Sequence, residues 1–182
     1  MKQLKNLTAI FLALLLFTFS QCKKKTEEPQ LPPETTTGAM TFGCKVNGKV
    51  FVPKDGNGRP GLYVQYVNLG TGSGGGWFLN IPALNYQDEP IAGISSTTDS
   101  LLLVQGETYE FSRGRGKAKA FYSLDTERGA SLYIKGDADT GSLHITFHDV
   151  SSRIISGVFY FDGTNENGAI IKITEGRFDL RY

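Results

Sequence analysis

The carboxy-terminal end of the chain, Ile155 to Tyr182, reads ISGVFYFDGTNENGAIIKITEGRFDLRY. Apolar and polar residues alternate with a period of two along Ile155–Phe161, Ala169–Thr174 and Arg177–Tyr182, which is the pattern of half-buried β-strands. Polar residues and glycines separate the runs, and Glu175-Gly176 is expected to form a two-residue turn between the last two. The sequence therefore predicts three antiparallel strands at the end of the fold.

Pairing through this turn sets Ile173 opposite Phe178 and Ile171 opposite Leu180, with all four side chains facing the core. The residues between them share the opposite face and form a charged row of Arg177, Asp179 and Arg181. A slip of one residue would turn that row into the core, so the register is well specified.

The period of two continues back to Gly38, and no long segment has the 3.6-residue period of a helix. Asn47-Gly48 is a pair that type I′ hairpin turns favour, and a turn there places Cys44 opposite Phe51 in the core. Pro82 and Pro90 are expected to bracket a loop, Asn85 to Glu89. Further strands are expected at Leu62–Val67, Trp77–Ile81, Ile91–Ser96, Ser100–Gln105, Thr108–Phe111, Ala118–Leu124, Leu132–Ile134 and Leu143–Phe147.

Short turns rich in Gly, Asn and Asp separate these runs, as antiparallel folds require. The sequence predicts an all-β protein, an antiparallel β-sandwich or a partly open barrel of roughly nine to eleven strands. Residues 38–182 are expected to form one domain with a single core.

The amino-terminal end has the features of an export signal. Lys2 and Lys5 precede an apolar run, Leu7–Phe19, that is too short to span a bilayer. Phe19-Ser20-Gln21-Cys22 resembles the lipobox of bacterial lipoproteins, in which the residue matching Cys22 is acylated and begins the mature chain. This resemblance implies that residues 1–21 are a signal peptide and that the protein is anchored to a membrane. An ordinary cleaved signal with an incidental Cys22 is the alternative.

Residues 22–37 are expected to be a lipidated cysteine followed by a flexible tether, because they are charged and proline-rich and contain few large apolar residues. Fully extended, residues 23–37 reach roughly 45 Å at about 3.1 Å per residue. Lys25-Thr26-Glu27-Glu28 resembles the surface-export signal of Bacteroidota lipoproteins. The alternative is a charged linker that has no role in targeting. Removing residues 1–21 takes two of the 19 basic residues and leaves 17 − 18 = −1. A nearly neutral chain argues against a nucleic-acid partner.

The sequence contains few candidate site residues. Arg113, Arg115 and Lys117 form the densest basic cluster, which could bind an acidic glycan or a phosphate or could be a solvated loop. Asp88 and Glu89 lie in the proline-bracketed loop, where two carboxylates could serve a hydrolase.

No metal site, cofactor or catalytic residue is predicted. His144 and His148 lie roughly 13 Å apart along a strand, too far to share a metal ion, and both are expected to face solvent. The segment 137–141 resembles the start of a calcium loop but lacks its bidentate Glu, and a hairpin turn is expected there.

Two parts of the chain resemble a family of small Bacteroidota lipoproteins. They are Thr41-Phe42-Gly43-Cys44-Lys45-Val46-Asn47-Gly48 and the closing strands, Ile155–Phe161 with Thr174–Tyr182. The resemblance covers nearly all of the mature chain and implies export, a lipid anchor on Cys22 and an all-β fold, but no catalytic residue or ligand.

Together these features predict an outer membrane lipoprotein on the periplasmic or cell-surface face. Its β domain is expected to be non-catalytic and to bind a glycan, a peptide or an envelope partner protein. The alternative is a small envelope hydrolase that uses carboxylates such as Asp88 and Glu89.

Overall fold

A computed structural model describes residues 29–126, 129–136 and 140–182. Within these ranges the protein is all-β, as predicted, with eleven strands and no helix. The strands are β1 (Thr41–Val46), β2 (Lys49–Phe51), β3 (Gln65–Asn68), β4 (Trp77–Asn85), β5 (Ile91–Asp99), β6 (Thr108–Glu110), β7 (Lys117–Thr126), β8 (Gly129–Ile134), β9 (Gly141–Asp149), β10 (Ile154–Thr164) and β11 (Ile170–Arg181).

The strands form one antiparallel sheet in the order β2-β1-β11-β10-β8-β7-β5-β4-β3, and β9 and β6 branch from β10. The branch arises because β10 is long: Ile154–Phe161 pairs with β9, whereas Thr164 pairs with Ile134 of β8. The sheet is not closed into a barrel, and its arrangement is consistent with the predicted sandwich or partly open barrel. One apolar cluster, with members from both halves of the sheet, fills the interior.

The first hairpin forms as the sequence predicts. Asn47 and Gly48 both have positive φ angles, 48° and 83°, as a type I′ turn requires. Cys44 pairs with Phe51 and is completely buried, which confirms its place in the core. Burial raises the pKa of the Cys44 thiol to about 12, so the thiol is protonated and unreactive at neutral pH.

The predicted turn at Glu175-Gly176 is wrong, because β11 runs through these residues as one strand. Glu175 has a φ of 53°, and β11 has one extra residue there relative to both β1 and β10, which is a β-bulge. The bulge reverses the alternation, so Ile173 before it and Phe178 after it both face the core. Ile171 and Leu180 are buried as predicted, but Phe178 pairs with Phe42 and Gly157 instead of with Ile173.

Two glycines make room for aromatic rings beside the bulge. Along β10 and β11, Gly157 pairs with Phe178 and Phe159 pairs with Gly176, so each ring lies opposite a glycine. A Cβ atom at Gly176 would lie 2.6 Å from three atoms of the Phe159 ring. Both rings are buried, and Phe159 also packs against Phe42 at 5.3 Å between ring centroids.

A second bulge corrects the expectation that His148 faces solvent. Ser156 pairs with Phe147 and Gly157 with Ile145, so the register of β9 skips Thr146. This extra residue reverses the alternation and turns His148 toward Tyr66, with ring centroids 5.2 Å apart. Phe147, which the simple alternation predicts to be inside, is only half-buried.

Two expected boundaries also differ from the structure. The segment 100–105 is not a strand; it connects β5 to β6 while Leu103 is buried in the core. β4 does not end at Pro82 but continues through it to Asn85, pairing Pro82 with Ser95. The loop predicted at Asn85–Glu89 spans residues 86–90 in the structure.

The predicted flexible tether is shorter than expected, because the last residues of the predicted segment, 31–37, pack on the β domain. Pro32 packs so closely on Gly43 of β1 that an added Cβ would lie 2.6 Å from the Pro32 ring. Thr35, Thr37 and their neighbours then cross the outer face of the sheet. Cys22 and the rest of residues 1–28 lie outside the described residues.

Asp179 fastens this segment. Asp179 lies on the outer face of β11, as predicted, but only 1% of it is exposed. Its carboxylate accepts six hydrogen bonds of 2.6–3.2 Å, from the Thr35 and Thr37 hydroxyls, the backbone N–H groups of Thr37, Gly38 and Ala39, and the Ser156 hydroxyl. Burial alone would raise the pKa of Asp179, but these hydrogen bonds outweigh it and hold the pKa well below its usual range.

Replacing Gly176 with Ala should lower the free energy of unfolding by about 1–3 kcal/mol, because the new methyl group overlaps the Phe159 ring. Gly72→Ala is the matched control, since no atom lies within 4 Å of a Cβ at that position. Urea unfolding of both variants measures the effect. Equal stability of the two variants would contradict the Phe159–Gly176 contact.

Replacing Asp179 with Asn should cost about 2–4 kcal/mol at pH 7, because an amide cannot accept all of these hydrogen bonds. Since the folded-state pKa is lowered, the stabilisation is complete above the unfolded pKa of about 4 and is lost as the pH falls toward the folded pKa. The difference between wild type and variant should therefore shrink by about 1 kcal/mol between pH 7 and pH 3. Urea unfolding at both pH values tests this, and a difference that does not change with pH would contradict it.

Candidate functional site

A groove lined by aromatic side chains lies where the edge strand β3 approaches the β9–β10 turn and the carboxy terminus. Its volume is about 580 Å³. We call it the aromatic groove. Its ring-bearing walls are formed by Tyr63, Tyr66, Trp77 and Tyr182, and Gln65, Val150 and Arg153 complete its border.

Strand register brings the first two rings together. Tyr66 of β3 pairs with Leu79 of β4, so Trp77, two residues earlier, projects from the same face of the sheet. The Tyr66 and Trp77 rings stack with centroids 4.7 Å apart and an angle of 22° between their planes. Tyr182, which follows β11, meets the edge of Tyr66 at 5.3 Å. Residues from three distant parts of the chain therefore form one aromatic surface.

His148 packs against this aromatic surface, beside the rings of Tyr66 and Tyr182. Its Nδ1 lies 3.0 Å from the Leu103 carbonyl oxygen, and its Nε2 lies 3.1 Å from the Tyr182 hydroxyl. Because a carbonyl can only accept, we assign the proton of the neutral ring to Nδ1, and Nε2 then accepts from Tyr182. The two contacts fix the ring of Tyr182 at the end of the groove.

Tyr66 and Tyr182 are poor nucleophiles. Desolvation raises the pKa of Tyr66 to about 12, and its hydroxyl accepts a hydrogen bond from the Leu103 N–H. Desolvation, together with the nearby Asp149 carboxylate, also raises the pKa of Tyr182. Both hydroxyls are therefore protonated at neutral pH, and the groove offers flat rings and polar edges suited to binding.

The rim of the groove is open to solvent. Tyr63 is 49% exposed, Val150 and Arg153 are also exposed, and Trp77 is half-buried. The Tyr182 N–H donates to the Arg153 carbonyl, which holds the β9–β10 turn beside the end of the chain. A ligand entering the groove would meet Tyr63 and Arg153 first.

The acidic candidate residues lie away from this groove. Asp88 and Glu89 are exposed at the tip of the β4–β5 hairpin. Trp77 lies at the opposite end of β4, and the strand from Trp77 to Asn85 is roughly 27 Å long. Asp88 accepts a 2.7 Å hydrogen bond from the Asn85 side chain and lies 3.9 Å from the Lys54 amine. Neither carboxylate lines the aromatic groove.

The predicted basic cluster is divided among different roles. The Arg115 guanidinium donates 2.7 Å hydrogen bonds to the carbonyls of Ser73 and Gly75, so it fastens the glycine-rich loop before β4. Lys117 is exposed at the start of β7. Arg113 is exposed and borders a separate pocket on the outer face of β7 and β8. The three residues do not form one binding surface.

No metal site is formed by His, Cys, Asp or Glu side chains within the described ranges. His144 is half-buried and its Nδ1 lies 2.9 Å from the Thr108 hydroxyl, whereas His148 contacts the aromatic groove. The possible calcium loop begins with residues 137–139, which lie outside the described residues. In the part of the chain that the structure describes, no helix is long and apolar enough to cross a membrane.

The aromatic groove was not predicted from the sequence. Trp77 is the single tryptophan of the chain and follows a glycine-rich loop, which is the one local signal that could have drawn attention to it. Tyr66 lies on β3 and Tyr182 follows β11, and only the fold brings both rings close to Trp77. No family model, curated protein or solved structure matches the chain.

Proposed function

We propose that the protein is a membrane-anchored envelope lipoprotein whose β domain binds an oligosaccharide in the aromatic groove. The observation that carries this proposal is the set of rings from Tyr63, Trp77 and Tyr182 around a groove of about 580 Å³. That volume lies within the range of about 300–1,000 Å³ of small-molecule sites.

The chemistry of the groove favours a sugar. A sugar ring presents an apolar face of C–H groups and an edge of hydroxyls. Tyr and Trp side chains provide matching apolar faces with a polar group at the tip. Gln65 and Arg153 at the border add hydrogen-bond donors for hydroxyl or carboxylate groups.

An extended peptide is the second ligand that this position could accept, because β3 is an edge strand and could pair with an added strand. We favour the sugar because four of the nine residues that line the groove carry aromatic rings. A hydrolase that uses Asp88 and Glu89 is disfavoured, because both carboxylates lie away from the groove and Asp88 accepts a hydrogen bond from Asn85.

The anchor rests on the sequence. The basic start, the apolar run Leu7–Phe19 and Cys22 support acylation at Cys22 and an outer membrane location on the periplasmic or cell-surface face. The resemblance to small Bacteroidota lipoproteins supports the same assignment. The domain would then be held to the membrane by the chain that precedes Leu31.

Sugar binding can be followed through Trp77, because it is the only tryptophan. Titrating the full-length protein with soluble neutral and uronic-acid oligosaccharides should change its fluorescence. Tyr63→Ala should weaken binding by about tenfold, because the loss of one stacked ring costs about 1.4 kcal/mol.

Tyr160→Ala is the matched control. Tyr160 is 47% exposed, nearly the same as Tyr63, but lies on β10 outside the groove. Equal weakening by both substitutions would contradict the site, as would the absence of a response to every sugar. A change in Trp77 fluorescence on adding peptides but not sugars would show instead that the groove binds an extended peptide by pairing it with β3.

Replacing Cys22 with Ser should abolish incorporation of a labelled fatty acid and move the protein from the detergent phase to the aqueous phase. Cys44→Ala is the control for the second cysteine and should retain the label, because Cys44 is buried in the core. A Cys22→Ser protein that still carries the label would show that the anchor is wrongly assigned.

A further inference from the structure

Strand β8 has one open edge. Along Gly129–Tyr133 it pairs with β7 on one side, and no described residue pairs with it on the other. β10 meets β8 only where Thr164 pairs with Ile134, because its remaining residues pair with β9 and β11. In the part of the chain that the structure describes, five residues of β8 therefore form an unpaired edge.

The register shows which backbone groups face the open edge. The Lys135 N–H donates to the Ala120 carbonyl of β7, and bonded residues alternate along an antiparallel ladder. Every second residue before Lys135 therefore bonds to β7, whereas Ala130 and Leu132 direct their N–H and C=O groups away from it. Ile134 has the same orientation and uses it to pair with β10. Two donors and two acceptors are thus available at this edge, since no described residue pairs with them.

The sequence of β8 does not protect this edge. Proteins commonly shield edge strands by making them very short or by placing charges or proline on them. β2 and β6, two other edge strands of the described fold, have three residues each and carry Lys49 and Glu110. β8 has six residues without a charge or a proline, and its Leu132 and Ile134 are 44% and 36% exposed. Such a strand is suited to pairing with another strand.

A cleft of about 410 Å³ lies beside the open edge, and we call it the edge cleft. One wall is formed by β8, and the facing wall is formed by residues 164–166, where β10 ends. The Asn165 side-chain oxygen accepts hydrogen bonds from the N–H groups of Asn167 and Ala169, so local contacts hold the second wall. The edge cleft shares no lining residue with the aromatic groove.

The charges at the border of the edge cleft cancel. Arg113 and Glu166 both line the cleft and are exposed, and neither forms an ion pair with another described residue. One charge of each sign gives the cleft no net charge, so charge alone selects neither an anion nor a cation. The other features that a ligand can match are the backbone groups of β8 and the exposed side chains of Leu132 and Ile134.

We propose that the edge cleft binds an uncharged, extended peptide segment of a partner protein as an added antiparallel strand beside β8. The segment exchanges backbone hydrogen bonds with Ala130 and Leu132, which is the β-augmentation mode of peptide recognition. Directly paired residues place their side chains on the same face of a sheet. Tyr133 packs against the core, so Leu132 lies on the outer face, and the two peptide residues paired with Ala130 and Leu132 also project outward. Apolar side chains at those two positions cover Leu132 and Ile134.

The shape and the hydrogen-bonding groups of the cleft distinguish this ligand from two others. The facing wall, residues 164–166, favours a single extended chain over the edge of a folded second copy, because the chain is narrower. An oligosaccharide lacks the regular backbone donors and acceptors that match a β-strand. The edge cleft therefore selects a peptide.

The probe is the capped pentapeptide acetyl-Thr-Val-Thr-Val-Thr-amide, titrated by calorimetry into the full-length protein in detergent, with a detergent-only titration subtracted. Its two valines can pair with Ala130 and Leu132 at the same time. Methylating both valine backbone nitrogens should weaken binding at least about tenfold, because these N–H groups face β8. Methylating the backbone nitrogens of the second and third threonines should leave the affinity within about twofold, because these N–H groups face away from β8.

Ala130→Pro removes one donor from the open edge, and proline is tolerated in an edge strand where the N–H would face solvent. This variant should weaken peptide binding about tenfold. Ala130→Thr is the matched control, since it retains the N–H and should bind the peptide as the wild type does. Leu132→Thr keeps a strand-forming residue and removes apolar contact, so it should weaken binding about fivefold and tests the site if Ala130→Pro fails to fold.

No binding of the unmethylated peptide, equal effects of the two methylation patterns, or unchanged binding by Leu132→Thr or by folded Ala130→Pro would each overturn the proposal. Binding that is lost in Tyr63→Ala but kept in Ala130→Pro would place the peptide on β3 instead. A dimer, measured by light scattering, that Ala130→Pro dissociates would assign the edge to a second copy and also overturn the proposal. The Trp77 response to sugars should be the same in Ala130→Pro as in the wild type, so failure of this site is distinguishable from failure of the sugar site.

Discussion

The Asp179 carboxylate is the constraint on which the architecture depends. A buried charge is tolerated only when hydrogen bonds replace its lost hydration, and here six donors do so. Five belong to residues 35–39 and one belongs to Ser156 of β10. The carboxylate thus holds together the first described segment and two central strands. This explains why residues with the composition of a linker lie on the sheet, and why the domain begins earlier in the chain than its strands do.

Local signals were sufficient to predict the fold class. Strict alternation and the Asn47-Gly48 pair depend on neighbouring residues alone, so the sequence predicted the all-β class, the first hairpin and the burial of Cys44. The bulges at Glu175 and Thr146 were not predictable in this way. A reversal of alternation is produced equally well by a turn or by one extra residue in a strand, and only the neighbouring strands decide between them. At Thr146 the alternation in the sequence continues without any reversal, so nothing in it signals the bulge, and His148 was placed on the wrong face.

The candidate sites were less predictable than the fold, because a site depends on which distant residues meet. Asp88, Glu89 and Arg115 have suitable chemistry, but the structure places the two carboxylates at a hairpin tip and engages Arg115 with backbone carbonyls. Tyr66, Trp77 and Tyr182 meet only after β3, β4 and β11 have assembled. The outer face of the sheet also differs between its two ends: residues 31–39 cover part of β1, β10 and β11, whereas no other described residues cover the outer side chains of β7 and β8.

The contact between Asp179 and residues 35–39 also determines how the domain would respond to mechanical force. If the chain is held at its amino terminus, a pull on the domain is transmitted through the contact of Pro32 with Gly43 of β1 and through these hydrogen bonds to β11. β11 has β1 on one side and β10 on the other, so the load is distributed over two ladders at once. The buried carboxylate would therefore act as a mechanical clamp between the preceding chain and the β domain.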